Sequence, residues 1–342
     1  MKILVLSRKE LEQILHMEDV LEGVRTAYRV KAHNQAVAWP LVEHHFESGA
    51  VMDIRSGGLF GTVNVHGAKL LNHFPENAEK NLPVFSGVLM AFDSKTGLPM
   101  AIMDASYITS MRTGAAAAAG AAALARKDSE TLLMTGAGRQ SVYLLGAVLL
   151  AMPQLKRVMI ADPMSFPAAE DYVKNIRKRL ADELHLETDA SFEAVEDLKT
   201  AAGESDVIVT ITRSTKPLIM KDWVRPGTHF SCIGADMVGK EELDPEIFRT
   251  ARVFADDVKQ CCAVGELEIP VKTGIISPED ICGEIGQVLA GMIPGRTSDE
   301  DITVFDATGL AALDLVTAKT AAAAAREMGL GSPVELLSLI HI

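Results

Sequence analysis

The chain has 342 residues, 48% hydrophobic and 23% charged, and 33 Lys plus Arg against 46 Asp plus Glu give a formal net charge of −13. That length accommodates two domains of ordinary size, and the acidic balance excludes nucleic acid and anionic membrane surfaces as main partners. No apolar run reaches the roughly 18 residues a transmembrane helix needs, and the N-terminus (Met-Lys-Ile-Leu-Val-Leu-Ser-Arg-Lys) meets charge too early for a secretory signal.

The cysteines are Cys232, Cys261, Cys262 and Cys282, with no Cys-x-x-Cys among them. They read as reduced thiols of a cytoplasmic protein. Residues 8–35 are expected to form one amphipathic helix, with apolar positions Leu11, Ile14, Leu15, Val20, Leu21, Val24, Ala27 and Tyr28 at helical spacing. Ser7 and Glu10 supply a capping box at its start. From 38 to 104 the pattern becomes β-like. Short runs at 41–46, 50–54, 85–92 and 100–103 are split by glycine turns, as in a mostly antiparallel sheet. That sheet is dense in ligand-binding side chains: Arg55, His66, Lys69, Asn72, His73 and Asn77. His44 and His45 would point to opposite faces of a strand, and no metal is expected. Residues 108–126 are alanine-dominated, hence helical and closely packed.

Around 131–162 the order is apolar run, Gly136-Ala-Gly138-Arg139-Gln140-Ser141, helical run from 142 to 150, second apolar run, Asp162. Strand, glycine turn, helix, strand and acid in that order make a dinucleotide-binding unit. Gly136 allows the tight turn, and Gly138 lets the backbone approach a pyrophosphate. A helix starting near Arg139 offers its N–H groups to the phosphates. Asp162 takes the adenosine ribose hydroxyls and repels a 2′-phosphate, so NAD(H) is expected rather than NADP(H). Strand and helix then alternate: helix 166–184, strand 187–189, helix 192–201, strands 207–210, 228–234 and 253–255, and 304–306 closing the sheet. A last helix, 310–328, packs back on the N-terminal part. The apolar tail 336–342 reads as a truncated or artefactual end, and no function is assigned to it.

Six islands carry a family resemblance. They are Gly67-Ala-Lys69 with Asn72-His-Phe-Pro75-Glu-Asn77; Ile108-Thr-Ser-Met-Arg112-Thr113-Gly-Ala; Thr-Gly136-Ala-Gly138-Arg-Gln140-Ser; Ile233-Gly-Ala-Asp236-Met-Val-Gly239-Lys240-Glu-Glu-Leu; Gly265-Glu-Leu with Gly291-Met-Ile-Pro-Gly-Arg296-Thr-Ser; and Val304-Phe-Asp306-Ala-Thr-Gly309-Leu-Ala. In this the chain resembles the ornithine cyclodeaminase/mu-crystallin family. The resemblance implies an α/β fold: a Rossmann-type doubly wound domain (127–308) inserted into an α+β substrate-binding and dimerisation domain (1–126 plus 309–342), as a homodimer. It further implies nicotinamide-dependent chemistry at a carbon–nitrogen bond beside a carboxylate. The ligands would be an amino, imino or 2-oxo acid, with ammonia or an alkylamine as an open nitrogen source.

Residue by residue, Arg112 is the implied bidentate carboxylate clamp, reaching the cofactor as well. Lys69 is a substrate or imine contact with a part in catalysis, and Asp236 is the acid/base for the substrate amine. Thr113, Arg139, Thr212, Ser231, Cys232, Ile233, Lys240 and Ala307 line the cofactor, and Thr308 touches substrate. Ornithine cyclodeaminases carry an arginine just after an early proline and a glutamate shortly before a methionine. Here Leu41 and Val42 follow Pro40, and Ala50 stands in the glutamate position before Met52. That favours reduction of a 2-imino acid, or reversible amino-acid dehydrogenation, with the cyclodeaminase reaction (L-ornithine to L-proline and ammonia, NAD used catalytically) as the alternative. Arg55 would suit a second substrate carboxylate or be a solvent-facing turn residue. A third possibility, binding without catalysis as in mu-crystallin, does not require Asp236 beside Lys69 and Arg112.

Overall fold

The structure, a computed structural model, describes residues 2–335; the tail 336–342 lies outside the described residues. The chain divides into two compact units, Met1–Arg112 with Leu310–Ile342, and Thr113–Gly309.

The first unit begins with β1 (Lys2–Leu6), α1 (Arg8–Ile14) and α2 (Met17–Ala32). The single helix expected over 8–35 is therefore two. The Ser7/Glu10 capping box starts α1 as expected, but Leu15 and His16 are extended, and His16 restarts the chain as the N-cap of α2. Both pieces keep their apolar stripe buried, so periodicity alone could not reveal the break. Next come β2 (Ala36–Ala38), β3 (Val42–His45), β4 (Val51–Leu59), β5 (Val65–His73), β6 (Phe85–Asp93), β7 (Pro99–Asp104) and α3 (Ala105–Leu124), the last crossing the unit boundary. The sheet runs β1-β7-β6-β5-β4-β2, with β3 also on β4. Every pair is antiparallel except β1 with β7. Alternation along β5 buries Val65, Gly67 and Lys69 on one face and leaves Leu70 exposed on the other.

The second unit contains β8 (Thr131–Thr135), α4 (Ser141–Ala151), β9 (Arg157–Ala161), α5 (Phe166–Leu184), β10 (Ser191–Ala194), α6 (Leu198–Glu204), β11 (Val207–Thr210), β12 (Thr215–Ile219), β13 (His229–Cys232), β14 (Glu241–Leu243), β15 (Arg252–Ala255), α7 (Val258–Val264), α8 (Glu268–Lys272), β16 (Gly283–Glu284), α9 (Ile285–Leu289) and β17 (Thr303–Asp306). Its eight-stranded sheet has the order β10-β9-β8-β11-β13-β17-β15-β16 and is parallel throughout. That is the doubly wound Rossmann arrangement, with the strand order reversing between β8 and β11. Three expectations are corrected. Residues 187–189 are irregular, and the strand is Ser191–Ala194, paired in register with Arg157–Ile160. Residues 192–201 are not one helix, because the helix starts only at Leu198, where the Asp197 side chain accepts from the N–H groups of Lys199 and Thr200. Strand β17 does not close the sheet but lies between β13 and β15.

The chain then returns to the first unit through α10 (Ala311–Met328) and β18 (Ser332–Glu335), which pairs antiparallel with β1. Helix α10 packs on the sheet and on α2.

Candidate active site

In the first unit, the inward face of the sheet and the first turn of α10 build a cluster of charges. Lys69 on β5 stands directly opposite Arg55 on β4. Its Nζ lies 2.9 Å from Asp314 Oδ2 on α10 and donates to Thr109 Oγ1 at 3.2 Å. Arg112 Nε donates to the other oxygen, Asp314 Oδ1, at 3.0 Å. Lys69, Asp314 and Arg112 are only 2%, 1% and 8% exposed. Arg55 Nε is 3.4 Å from Asp53 Oδ2. Two buried cations, Lys69 and Arg112, thus share the one carboxylate of Asp314, leaving one positive charge over in a largely dehydrated place.

The ionisation equilibria carry the imprint of that surplus. Burial pushes the Lys69 ammonium down to about 8, with Arg112 and Arg55 adding to the effect and Asp314 opposing it. For Asp314, burial alone would raise the carboxyl, but Lys69, Arg112 and Arg55 outweigh it and hold the group below its usual range. A buried cation forced toward its neutral form is stabilised by any anion that arrives. Of this cluster, Lys69, Arg112 and Arg55 were expected from the sequence. Asp314 was not, and its only signal is an acid in the otherwise apolar run Ala311-Ala-Leu-Asp314-Leu-Val, which demands a cation when buried.

In the second unit, Gly136 follows β8 with φ +108°, and a Cβ there would sit 2.6 Å from the Ile211 carbonyl oxygen just after β11. Only glycine fits both the dihedral and the approach. Gly138 differs: a Cβ on it would meet nothing within 4 Å. No protein neighbour demands its smallness, so the open space above it is fit for a ligand. Asp162, directly after β9, accepts from Ala137 N–H at 3.1 Å and Met164 N–H at 3.0 Å. Its carboxylate therefore lies against the glycine loop with lone pairs to spare. Helix α4 starts at Ser141, two residues past Arg139, and Gln140 gives it no side-chain cap. Its first N–H groups are left for an anion, and the buried Gln140 Oε1 has no hydrogen-bond partner among the described residues. Arg139 is exposed. This cradle fits a dinucleotide phosphate.

At the end of β13, Ile233, Gly234 and Ala235 are buried, while the Asp236 side chain is 43% exposed and pairs with Lys240 Nζ at 2.5 Å. Lys240 Nζ also donates to the Gly234 carbonyl at 3.2 Å. Thr212 donates its N–H to Glu242 Oε1 at 2.7 Å. Other expected residues have side chains committed inside the unit. Ser231 Oγ hydrogen-bonds His229 Nε2 at 3.0 Å and the Ala117 carbonyl at 3.1 Å. Cys232 lies in the core, its thiol pushed well above the usual value by burial and by Glu266, Asp306 and Glu242. Thr308 Oγ1 accepts from Gln260 Nε2 at 2.8 Å and donates to Asp256 Oδ1 at 3.3 Å. Ala307 is buried and Thr113 half-buried.

The family model "Ornithine cyclodeaminase/mu-crystallin family" matches residues 1–328. The chain belongs to that family. Among solved structures, this family member resembles an archaeal alanine dehydrogenase dimer with bound NAD (35% identity, TM-score 0.90, covering 98% of this chain and 100% of that one). It also resembles the iminosuccinate reductase of Paracoccus denitrificans in complex with NAD+ (32%, TM-score 0.88, 98% and 100%). A third is the Δ1-pyrroline-2-carboxylate reductase of Thermococcus litoralis in complex with NADH and L-proline (29%, TM-score 0.88, 97% and 100%).

Proposed function

We propose that this protein is an NAD(H)-dependent oxidoreductase that reduces 2-imino acids to amino acids. The observation that carries this is the surplus positive charge of Lys69 and Arg112, two buried cations on the single carboxylate of Asp314. A carboxylate beside the reacting carbon neutralises it. The glycine edge with Asp162 supports NAD(H), since an acid there repels a 2′-phosphate. The three reductase and dehydrogenase neighbours, each with NAD+, NAD or NADH, agree with that chemistry.

When bound, the nicotinamide supplies the hydride. The chain's residues do the rest. Arg112 and Lys69 bind and orient the substrate carboxylate, and Asp314 holds both cations in place. Asp236 gives the substrate nitrogen its proton and takes one back in the reverse direction, with Lys240 fixing its carboxylate. Thr212, Ile233 and Ala307 line the nicotinamide side. We assign the protein to the cytoplasm on its free thiols, and among the described residues no helix is long and apolar enough to cross a membrane. We further propose a homodimer formed through the outward face of the first unit's sheet, where Val42, Leu70, Val88 and Met90 are exposed; the archaeal neighbour is itself a dimer.

The test is NADH consumption by purified protein with pyruvate, glyoxylate or oxaloacetate plus ammonia or methylamine, and with cyclic imino acids alone. Consumption that needs the amine, and is lost in Asp236→Asn, is expected. A flat trace throughout, with ammonia released from L-ornithine at catalytic NAD, would make the protein a cyclodeaminase instead.

A further inference from the structure

The second unit buries a line of acids that the proposed chemistry does not use. Glu242, on β14, is fully buried. Its Oε1 accepts from the Thr212 N–H at 2.7 Å and its Oε2 from the Gly234 N–H at 3.0 Å. Glu266 Oε1 in turn accepts from the N–H groups of Glu242 and Leu243 at 2.8 and 2.6 Å. Asp306 Oδ2 accepts from the Leu267 N–H at 3.0 Å. Asp306 thus anchors the backbone beside Glu266, and Glu266 anchors the backbone that carries Glu242. None of them has a Lys or Arg ion-pair partner among the described residues.

Carboxylates that merely cap turns look different in this protein. Asp93, Asp197 and Asp257 each bond an N–H two or three residues along their own segment. Glu242 spans 30 residues to Thr212 and 8 to Gly234. Those two positions each lie two residues past the ends of β11 and β13, adjacent parallel strands. The carboxyl end of such strands is where open α/β sheets bind ligands. The fit is close: a Cβ on residue 234 would lie 2.3 Å from Glu242 Oε2, so the clamp requires glycine there.

We infer that Glu242 is a positioning residue for the dinucleotide: it sets the two backbone segments that carry Thr212 and Ile233–Asp236. This rests on the NAD(H) reading above. Because both oxygens accept from backbone N–H groups, Glu242→Gln, though the same size, must turn an amide N–H against Thr212 or Gly234 and lose one bond. Glu266 provides the contrast. Only its Oε1 is engaged, and Oε2 has no partner among the described residues. Glu266→Gln can therefore keep both bonds.

The experiment measures the NADH dissociation constant by protein fluorescence for wild type, Glu242→Gln, Glu242→Asp and Glu266→Gln. Thermal midpoints and hydrogen exchange of the peptides around 212 and 234 are followed without cofactor. Losing a hydrogen bond to a charged acceptor should weaken NADH binding about 10-fold or more in Glu242→Gln. Exchange should quicken at both peptides, whereas Glu266→Gln should match wild type in both. Glu242→Asp, too short to span both segments, should fall with the Gln variant. If Glu242→Gln binds NADH like wild type, or loses affinity only as far as Glu266→Gln does, the inference is overturned. A Gln variant too unstable to assay leaves Glu242→Asp to decide, and wild-type affinity in the latter would overturn it. A wild type that binds no NADH would overturn the dinucleotide reading and this inference together.

Discussion

The two units bury charge in opposite ways. The first unit gathers Lys69 and Arg112 on the one carboxylate of Asp314 and ends with a positive surplus there. The second gathers Glu242, Glu266 and Asp306 and meets them with backbone N–H groups. In the second, burial raises all three carboxyls above their usual range; Glu242 and Asp306 push Glu266 further, and Asp256 does the same to Asp306. The difference separates a place that receives a ligand from a scaffold. Donors fixed in the backbone satisfy an acid permanently, whereas a cation surplus is satisfied only when an anion binds.

The sharpest way to break the comparison is to neutralise one acid in each region. Asp314→Asn leaves Lys69 and Arg112 buried without their shared counter-ion and should cost about 3–5 kcal/mol in urea unfolding. Glu266→Gln keeps its backbone bonds and should be neutral or stabilising, because it places a group that never ionises in a crowded acidic interior.

The glycines give the next effect. Gly136→Ala forces a side chain into φ +108° and onto the Ile211 carbonyl. It should lower stability by about 1–3 kcal/mol and abolish NADH binding. Gly138→Ala meets no protein atom, so stability should hold while NADH affinity falls about tenfold, as expected if the added methyl intrudes on a phosphate. Equal loss of stability in the two variants would contradict this.

That contrast was half legible in sequence. The glycine turn, the acid at 162 and helix α5, with Ser165 capping it and Pro167 in its first turn, follow from local pattern. The strand at Ser191–Ala194 did not, because its Phe192, Val195, Leu198 spacing is also helical and only pairing with β9 settles it. The partners of Glu242 and Asp314 were hidden for the same reason. They lie far along the chain or are backbone groups, and no local pattern encodes either.

Smaller effects come from pH. With Lys69 at about 8, the ammonium prevails below that pH and is lost above it. The kcat/KM for a carboxylate substrate should fall as pH rises through about 8, and Lys69→Arg, whose charge persists, should lack that limb. For Glu266 the folded-state value is raised, so the folded protein holds a proton that the unfolded chain releases above about pH 4.5. Stability is then full below the unfolded value and declines as pH rises. Any gain from Glu266→Gln should therefore grow between about pH 5 and 8, read from denaturation midpoints.

The central claim, that the cation cluster receives the carboxylate beside the reacting carbon–nitrogen bond, is tested most directly by removing that carboxylate. Steady-state NADH oxidation would be compared for Δ1-pyrroline-2-carboxylate and for Δ1-pyrroline, the same ring without the acid. Wild type should prefer the carboxylate by about a hundredfold or more in kcat/KM, the loss expected when a buried charge goes unpaired. The preference should collapse in Arg112→Met. Equal use of both rings by wild type, or a preference that survives in Arg112→Met, would contradict the account.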